Sequence, residues 1–181
     1  MAVSIAQFHW AKTFVGFGPS DIAHLKGLQT LMEINGPIIT DRFYEVLLAT
    51  PETAKVVENR VELLKRTHKA YLLQLVAGEY DEAYFESRLR VGRVHVVQGI
   101  EPHWVEAVMS IIRGQLIALV SSHYDDPEER AAKCTAILRI CDIDLLVINF
   151  AYSEERLERL TGFTGMGRKL IENVLKMPAR K

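Results

Sequence analysis

The sequence predicts an all-α fold, and three observations carry that prediction. Apolar residues recur at spacings of three and four along nearly the whole chain, no stretch alternates convincingly at period two, and the breaks carry helix start and stop chemistry. A length of 181 residues suits one domain with a substantial core.

Taken in order, residues 5–17 form a short first helix ended by Gly16, Gly18 and Pro19. Ser20 caps a second, with Asp21 in the first turn where the helix dipole favours negative charge. Its inward residues are Ile22, Leu25, Leu28, Leu31 and Met32, and Asn35-Gly36-Pro37 is expected to stop it. A third helix over 37–49 turns Ile39, Phe43, Val46 and Leu47 inward, with Tyr44 at the edge of that face. Thr50-Pro51-Glu52 starts a short turn. Residues 59–77 carry Leu64, Tyr71, Leu72 and Leu75 inward, with Thr67 and His68 flanking, and Gly78 closes the helix.

Residues 81–98 follow, with a stripe of Phe85, Leu89, Gly92 and Val96. Tyr84, Arg88, Val91 and His95 lie beside it, which puts His95 at the border of the buried face in the last turn. Gly99 suits a left-handed cap, Ile100 its hydrophobic contact, and Pro102 an immediate restart. The helix over 102–122 is apolar nearly all round, so it is either central or shared with a partner chain. Asp126-Pro127-Glu128-Glu129 opens a very long helix to about residue 160. Three glycines over 161–167 predict a flexible break before a last basic helix over 168–177.

Charge and composition narrow the partners. The net charge is −1 with both signs mixed along the chain, which gives no electrostatic reason to expect nucleic acid or an anionic membrane. Gln7, His9 and Lys12 interrupt what would have to be the apolar segment of a signal peptide, so a cytoplasmic location is expected. Cys134 and Cys141 are seven residues apart on one predicted helix, about 10 Å, too far for a disulfide. Free thiols suit a reducing compartment.

The histidines stand at 9, 24, 68, 95, 103 and 123, with no zinc-binding or hydrolase spacing, and no glycine-rich phosphate loop follows a strand. Haem ligation asks for less: one neutral imidazole and an apolar box built by several helices. His95 meets that description, as would any packed histidine at a face boundary.

Four segments then bear on the choice: Leu63-Leu64-Lys65-Arg66-Thr67, Gly78-Glu79-Tyr80-Asp81-Glu82, Arg88-Leu89-Arg90-Val91-Gly92-Arg93-Val94-His95 and Gly99-Ile100-Glu101-Pro102-His103-Trp104. In this order and spacing they closely resemble the globin domain of globin-coupled sensors. The likeness spans residues 20–152, and the N-terminal segment fits the family's extra helix.

The resemblance implies a globin fold, a three-over-three helical sandwich with an extra N-terminal helix and a long C-terminal one. It divides the chain into a pre-helix (1–19), a globin sensor domain (20–160) and a linker (161–181) towards an output domain. It implies haem b (iron protoporphyrin IX) with His95 as proximal iron ligand, Tyr44 and Thr67 as distal polar residues, and a pocket of Phe43, Leu64, Val91, Ile100, Trp104 and Val105. It implies dioxygen, carbon monoxide and nitric oxide as ligands and no catalysis by this domain. A homodimer through the helices at 102–122 and 126–160 would relay ligation to an output such as a diguanylate cyclase. Val105 stands where many members carry a tyrosine near the proximal histidine, so one hydrogen-bond partner is lost. His68 sits closer to the centre of its helix's apolar stripe than Thr67 and is a possible alternative iron ligand, although the resemblance turns this position away from the iron. A stand-alone globin that binds or detoxifies dioxygen or nitric oxide, or a haem-free helical interaction module, are the alternatives.

Overall fold

The computed structural model describes residues 3–177, and among them there are nine α-helices and no strand. The first, α1 (Ile5–Phe14), starts where the Ser4 N–H donates to the Gln7 side chain at 2.9 Å, and it buries Phe8 and Ala11. The second, α2 (Pro19–Lys26), is fixed by Asp21, which accepts from the Gly18 N–H and from Arg139.

The third helix corrects the expected stop. α3 runs Gln29–Ala49 straight through Pro37, and the chain turns instead at Gly27 and Leu28. Pro37 does remove one backbone donor. Yet Leu31, Met32, Gly36, Ile39, Thr40, Phe43 and Tyr44 form one continuous buried face, and burying a large apolar side chain is worth about 1.5–3 kcal/mol. Tertiary burial on that scale outweighs the local break. Val46, expected inward, is exposed.

The short α4 (Pro51–Val57) leads through Asn59, in the left-handed region at φ 62°, to α5 (Val61–Leu75). Then come α6 (Glu82–Val97) and α7 (Pro102–His123), with Asp81 capping α6 through the Tyr84 N–H. The long α8 (Pro127–Thr164), capped by Asp126, spans 38 residues, roughly 57 Å at ~1.5 Å each. It continues past the expected end near Leu160 and through Gly162, and stops only at Gly165, whose φ of 68° suits glycine. The last helix, α9 (Arg168–Leu175), folds back on α8: Arg168 grips Glu154 at 2.6 and 2.9 Å and Ile171 is buried.

α8 is the spine. α6, α7 and α2 pack on it, while α3 packs against α5 and α7. Leu72, Leu75, Ile140, Cys141 and Val147 are fully buried at the centre. α6 and α8 cross tightly at Gly92, where an added Cβ would lie 2.6 Å from the Ala151 Cβ and 2.7 Å from the Ile148 carbonyl oxygen. Cys134 and Cys141 are both free thiols. α7 is long and apolar enough to cross a bilayer by length and composition, and one side of it, through Val105, Met109, Ile112, Leu116 and Val120, is buried within the fold.

Candidate functional site

Two clusters of predicted site residues form on either side of the α5–α6 connection. The first joins α3 to α5. The Phe43 ring stacks on His68 at 4.3 Å, with Tyr44 edge-on to both at 5.3 and 6.0 Å. These contacts follow from spacing, because Thr40, Phe43 and Tyr44 lie one turn apart on the buried side of α3. The Thr40 Oγ1 lies 3.0 Å from His68 Nδ1, which fixes the ring and leaves Nε2 buried without a partner. Burial holds the His68 imidazole neutral, its pKa lowered to about 4, and pushes the Tyr44 phenol up to about 12.

Thr67 departs from expectation. It is exposed, and its hydroxyl donates to the Leu64 carbonyl within its own helix at 2.8 Å. His68, one residue on and 100° round the helix, takes the inward position that Thr67 was expected to hold. Leu64 is half-buried and packs against the main core.

The second cluster surrounds the end of α6. Val105, Ile148 and Tyr152 are buried together, with Val91, Val96 and Ile100 packed against them. His95 belongs to this last turn. Burial lowers its pKa to about 4, and its Nδ1 is buried with no hydrogen-bond partner. Backbone bonds hold the corner: the Ile100 N–H donates to the His95 carbonyl at 3.0 Å, and the Tyr152 hydroxyl donates to the Ile100 carbonyl at 2.7 Å. Trp104 is half-buried with its ring tilted on His103 at 5.2 Å.

Three features escaped the sequence analysis. Thr40 as the partner of His68 was hidden because threonine on a helix face usually bonds its own backbone. Tyr152 gave no sign of bridging α8 to the corner before α7. Most informative is a buried polar group: Arg88 Nε meets Asp144 Oδ2 at 2.7 Å, Tyr84 donates to the other oxygen at 2.7 Å, and Arg88 Nη1 donates to Gln74 at 2.9 Å. Burial raises the Asp144 pKa, while the guanidinium and the phenol draw it back down. A signal did exist, since Arg88 and Asp144 are opposite charges, each interrupting an apolar face.

Chemically, the site offers two neutral imidazoles in apolar surroundings, each with one unclaimed ring nitrogen, and a phenol near one of them. Such a donor set suits an iron macrocycle, which needs a neutral imidazole and a dry wall.

Known proteins resemble this chain in sequence and in fold. The protoglobin family model matches residues 5–158. The chain is 34% identical over 131 residues to the haem-based aerotactic transducer HemAT of Halobacterium salinarum, covering 70% of this chain and 27% of that protein. It thus spans about a quarter of the length of this relative. Among solved structures, the globin domain of the Geobacter sulfurreducens globin-coupled sensor superposes with a TM-score of 0.77 at 32% identity, covering 80% of this chain and 96% of that one. The ferric globin domain of E. coli DosC gives a TM-score of 0.69 at 17% identity, covering 80% and 98%, a likeness of fold alone. The expected globin fold, with its additional N-terminal helix and long C-terminal helix, is therefore the fold this chain adopts. With its family's model matching most of its length, the chain belongs to the protoglobin family.

Proposed function

We propose that this chain is the sensor domain of a haem-based dioxygen sensor, in which haem b is held by His95 and diatomic gases bind on the side lined by Phe43, Tyr44 and His68. The observation that carries the reading is the pair of buried, neutral histidines, His95 in the last turn of α6 and His68 on α5, with His68 Nε2 left without a protein partner. Burying a polar nitrogen without a partner costs about 1–3 kcal/mol, and a metal ligand offsets that cost. The haem, when bound, supplies reversible binding of dioxygen, carbon monoxide or nitric oxide.

The protein's own residues do the rest. His95 would hold the haem iron, and the Ile100-to-His95 backbone bond fixes the turn that carries it. Val91, Ile100 and Val105 line the proximal side, with Trp104 at its edge. Because Val105 offers no acceptor, the His95 imidazole is oriented by packing alone. Tyr44 is the phenolic donor to a bound ligand, and Phe43 and Leu64 are the apolar wall. In the tautomer whose Nδ1–H donates to Thr40, His68 would present its Nε2 lone pair, and it is the alternative iron ligand in the gas-free state. Thr67, pointing to water, has no part in that arrangement unless the helix rotates.

Further assignments belong to the same reading. Half-buried Ile111, Ile117 and Leu119 on α7 and exposed Leu138 on α8 support a homodimer through those helices. An output domain would follow the globin, as the length of HemAT supports, with 1–19 as pre-helix, 20–160 as sensor domain and 161–181 as connector. The role of this domain is ligand binding rather than catalysis, and the free thiols of Cys134 and Cys141 support the cytoplasm.

The test is the visible spectrum of protein expressed with haem supplied, recorded ferrous with and without dioxygen, beside His95→Ala. A Soret band that shifts with dioxygen and is lost in His95→Ala is expected. Haem retained with unchanged ligation in His95→Ala would move the iron ligand elsewhere.

A further inference from the structure

The Arg88–Asp144 pair is almost completely shielded from water, at 1% and 0% exposure. Such pairs are poor devices for stability, because desolvating two charges consumes most of what their attraction returns. An apolar pair of the same volume would serve packing as well. What the ion pair adds is a fixed geometry, and here it joins three helices: Arg88 on α6, Asp144 on α8 and, through Gln74, α5.

A second set of contacts runs from it towards the site. The Arg88 guanidinium lies 4.4 Å over the Tyr71 ring and 4.1 Å over the Tyr84 ring. Tyr71 lies one turn after His68 on α5, and the two rings stack at 6.3 Å with an interplanar angle of 26°. From His68 the path is thus unbroken: imidazole on phenol, phenol under guanidinium, guanidinium on carboxylate. It crosses from α5 to α8 without passing through His95.

We propose that Tyr71 and Arg88 are positioning residues that tie the His68 ring to α8 through Asp144, giving ligand binding a distal route to α8 separate from the His95 turn. The proposal rests on the assignment of His68 to the ligand side of a haem. When a gas ligand takes the space beside Phe43 and Tyr44, the His68 ring has to move. Tyr71 is in contact with that ring and carries Arg88, so the displacement reaches a pair whose 2.7 Å bond tolerates no slack.

The test is hydrogen exchange of the α8 amides 140–152 and the α6 amides 93–98 in full-length haem-loaded protein, with and without carbon monoxide. Wild type, Tyr71→Phe, Tyr71→Leu and the double variant Arg88→Met with Asp144→Leu are compared. In wild type and Tyr71→Phe, which keeps the ring, carbon monoxide should change α8 exchange by about threefold or more. In Tyr71→Leu and the double variant the response at 140–147 should vanish, while the Soret shift, the α6 response and the response near Tyr152 remain. The double variant removes both buried charges together and strands neither, which gives a second route to a folded protein beside Tyr71→Leu. A response at 140–147 that survives in a folded disrupted variant, or its absence in wild type, overturns the distal route. Absence of a Soret band in wild type is a different failure, that of the haem reading itself.

Discussion

Replacing Gly92 by alanine puts one methyl group into the tight crossing of α6 and α8. The new Cβ would lie 2.6 Å from the Ala151 Cβ and 2.7 Å from the Ile148 carbonyl oxygen, whereas carbon atoms rest at about 3.5–4.0 Å. The shortfall is about 1 Å, and neither neighbour is the end of a side chain that can swing aside. α6 and α8 must therefore separate locally. Overpacking of this kind costs about 1–3 kcal/mol, and the backbone contact places Gly92 at the upper end. Alanine returns about 1 kcal/mol through helix propensity, so a net loss of about 2 kcal/mol is expected. Urea denaturation of the haem-free protein reads it directly, and Ala151→Gly on the same background should recover part of the loss by removing the nearer clash. A Gly92→Ala protein as stable as wild type would refute the claim that this crossing is tight. Because His95 lies three residues further along α6, the same variant should also shift the iron–histidine stretching band in resonance Raman spectra.

Tyr44→Phe should release dioxygen about fivefold faster, the effect of losing ~1 kcal/mol of hydrogen bonding, and stopped-flow dissociation that matches wild type would remove the phenol from the ligand. The haem-free protein should be acid-sensitive. His68 and His95 sit at about 4 against an ordinary 6.5. The unfolded chain binds more protons in that window, so stability is full above pH 6.5 and is lost as pH falls towards 4. At pH 5 each imidazole should cost about 2 kcal/mol, and His68→Phe should remove about half of the total loss seen in urea midpoints measured between pH 7.5 and 5. Sedimentation should find a dimer, and substituting Ile111, Ile117 and Leu138 by polar residues should yield monomers. A wild-type protein that is already monomeric would remove the proposed interface.

Helical periodicity made the fold legible, and it located the α6 terminus well, because Asp81, Gly99 and Pro102 are local signals that tertiary packing has no reason to override. Pro37 shows where that logic stops. Its local effect is real, but seven buried residues on one face of α3 hold the helix together, and a window of neighbours contains no account of them. At the site, helical pattern set His95 in the last turn of α6 and Phe43 beside Tyr44 on α3, which is where they lie, while their roles toward a haem rest on the resemblance. Pattern also put His68 nearer the apolar stripe than Thr67, the resemblance pointed the other way, and a modest rotation of α5 decides between the two. For Arg88 and Asp144 the sequence marked each charge on an apolar face but not their pairing: the partners are 56 residues apart, and only the crossing of α6 and α8 joins them.

The corner between α6 and α7 is bound at both ends of one residue, since Ile100 gives its N–H to His95 and accepts the Tyr152 hydroxyl on its carbonyl. Those two bonds leave no spare chain between the iron-ligand turn and the start of the next helix. An inserted residue there would break one of them and carry Ile100 out of its apolar cluster. Changes of length should accordingly be poorly tolerated at 98–101, and far better tolerated at exposed Asp125, between packed Tyr124 and the Asp126 cap, where lengthening the chain disturbs no part of the site. For anyone grafting this domain or placing a reporter in it, the permissive loop is the one after α7.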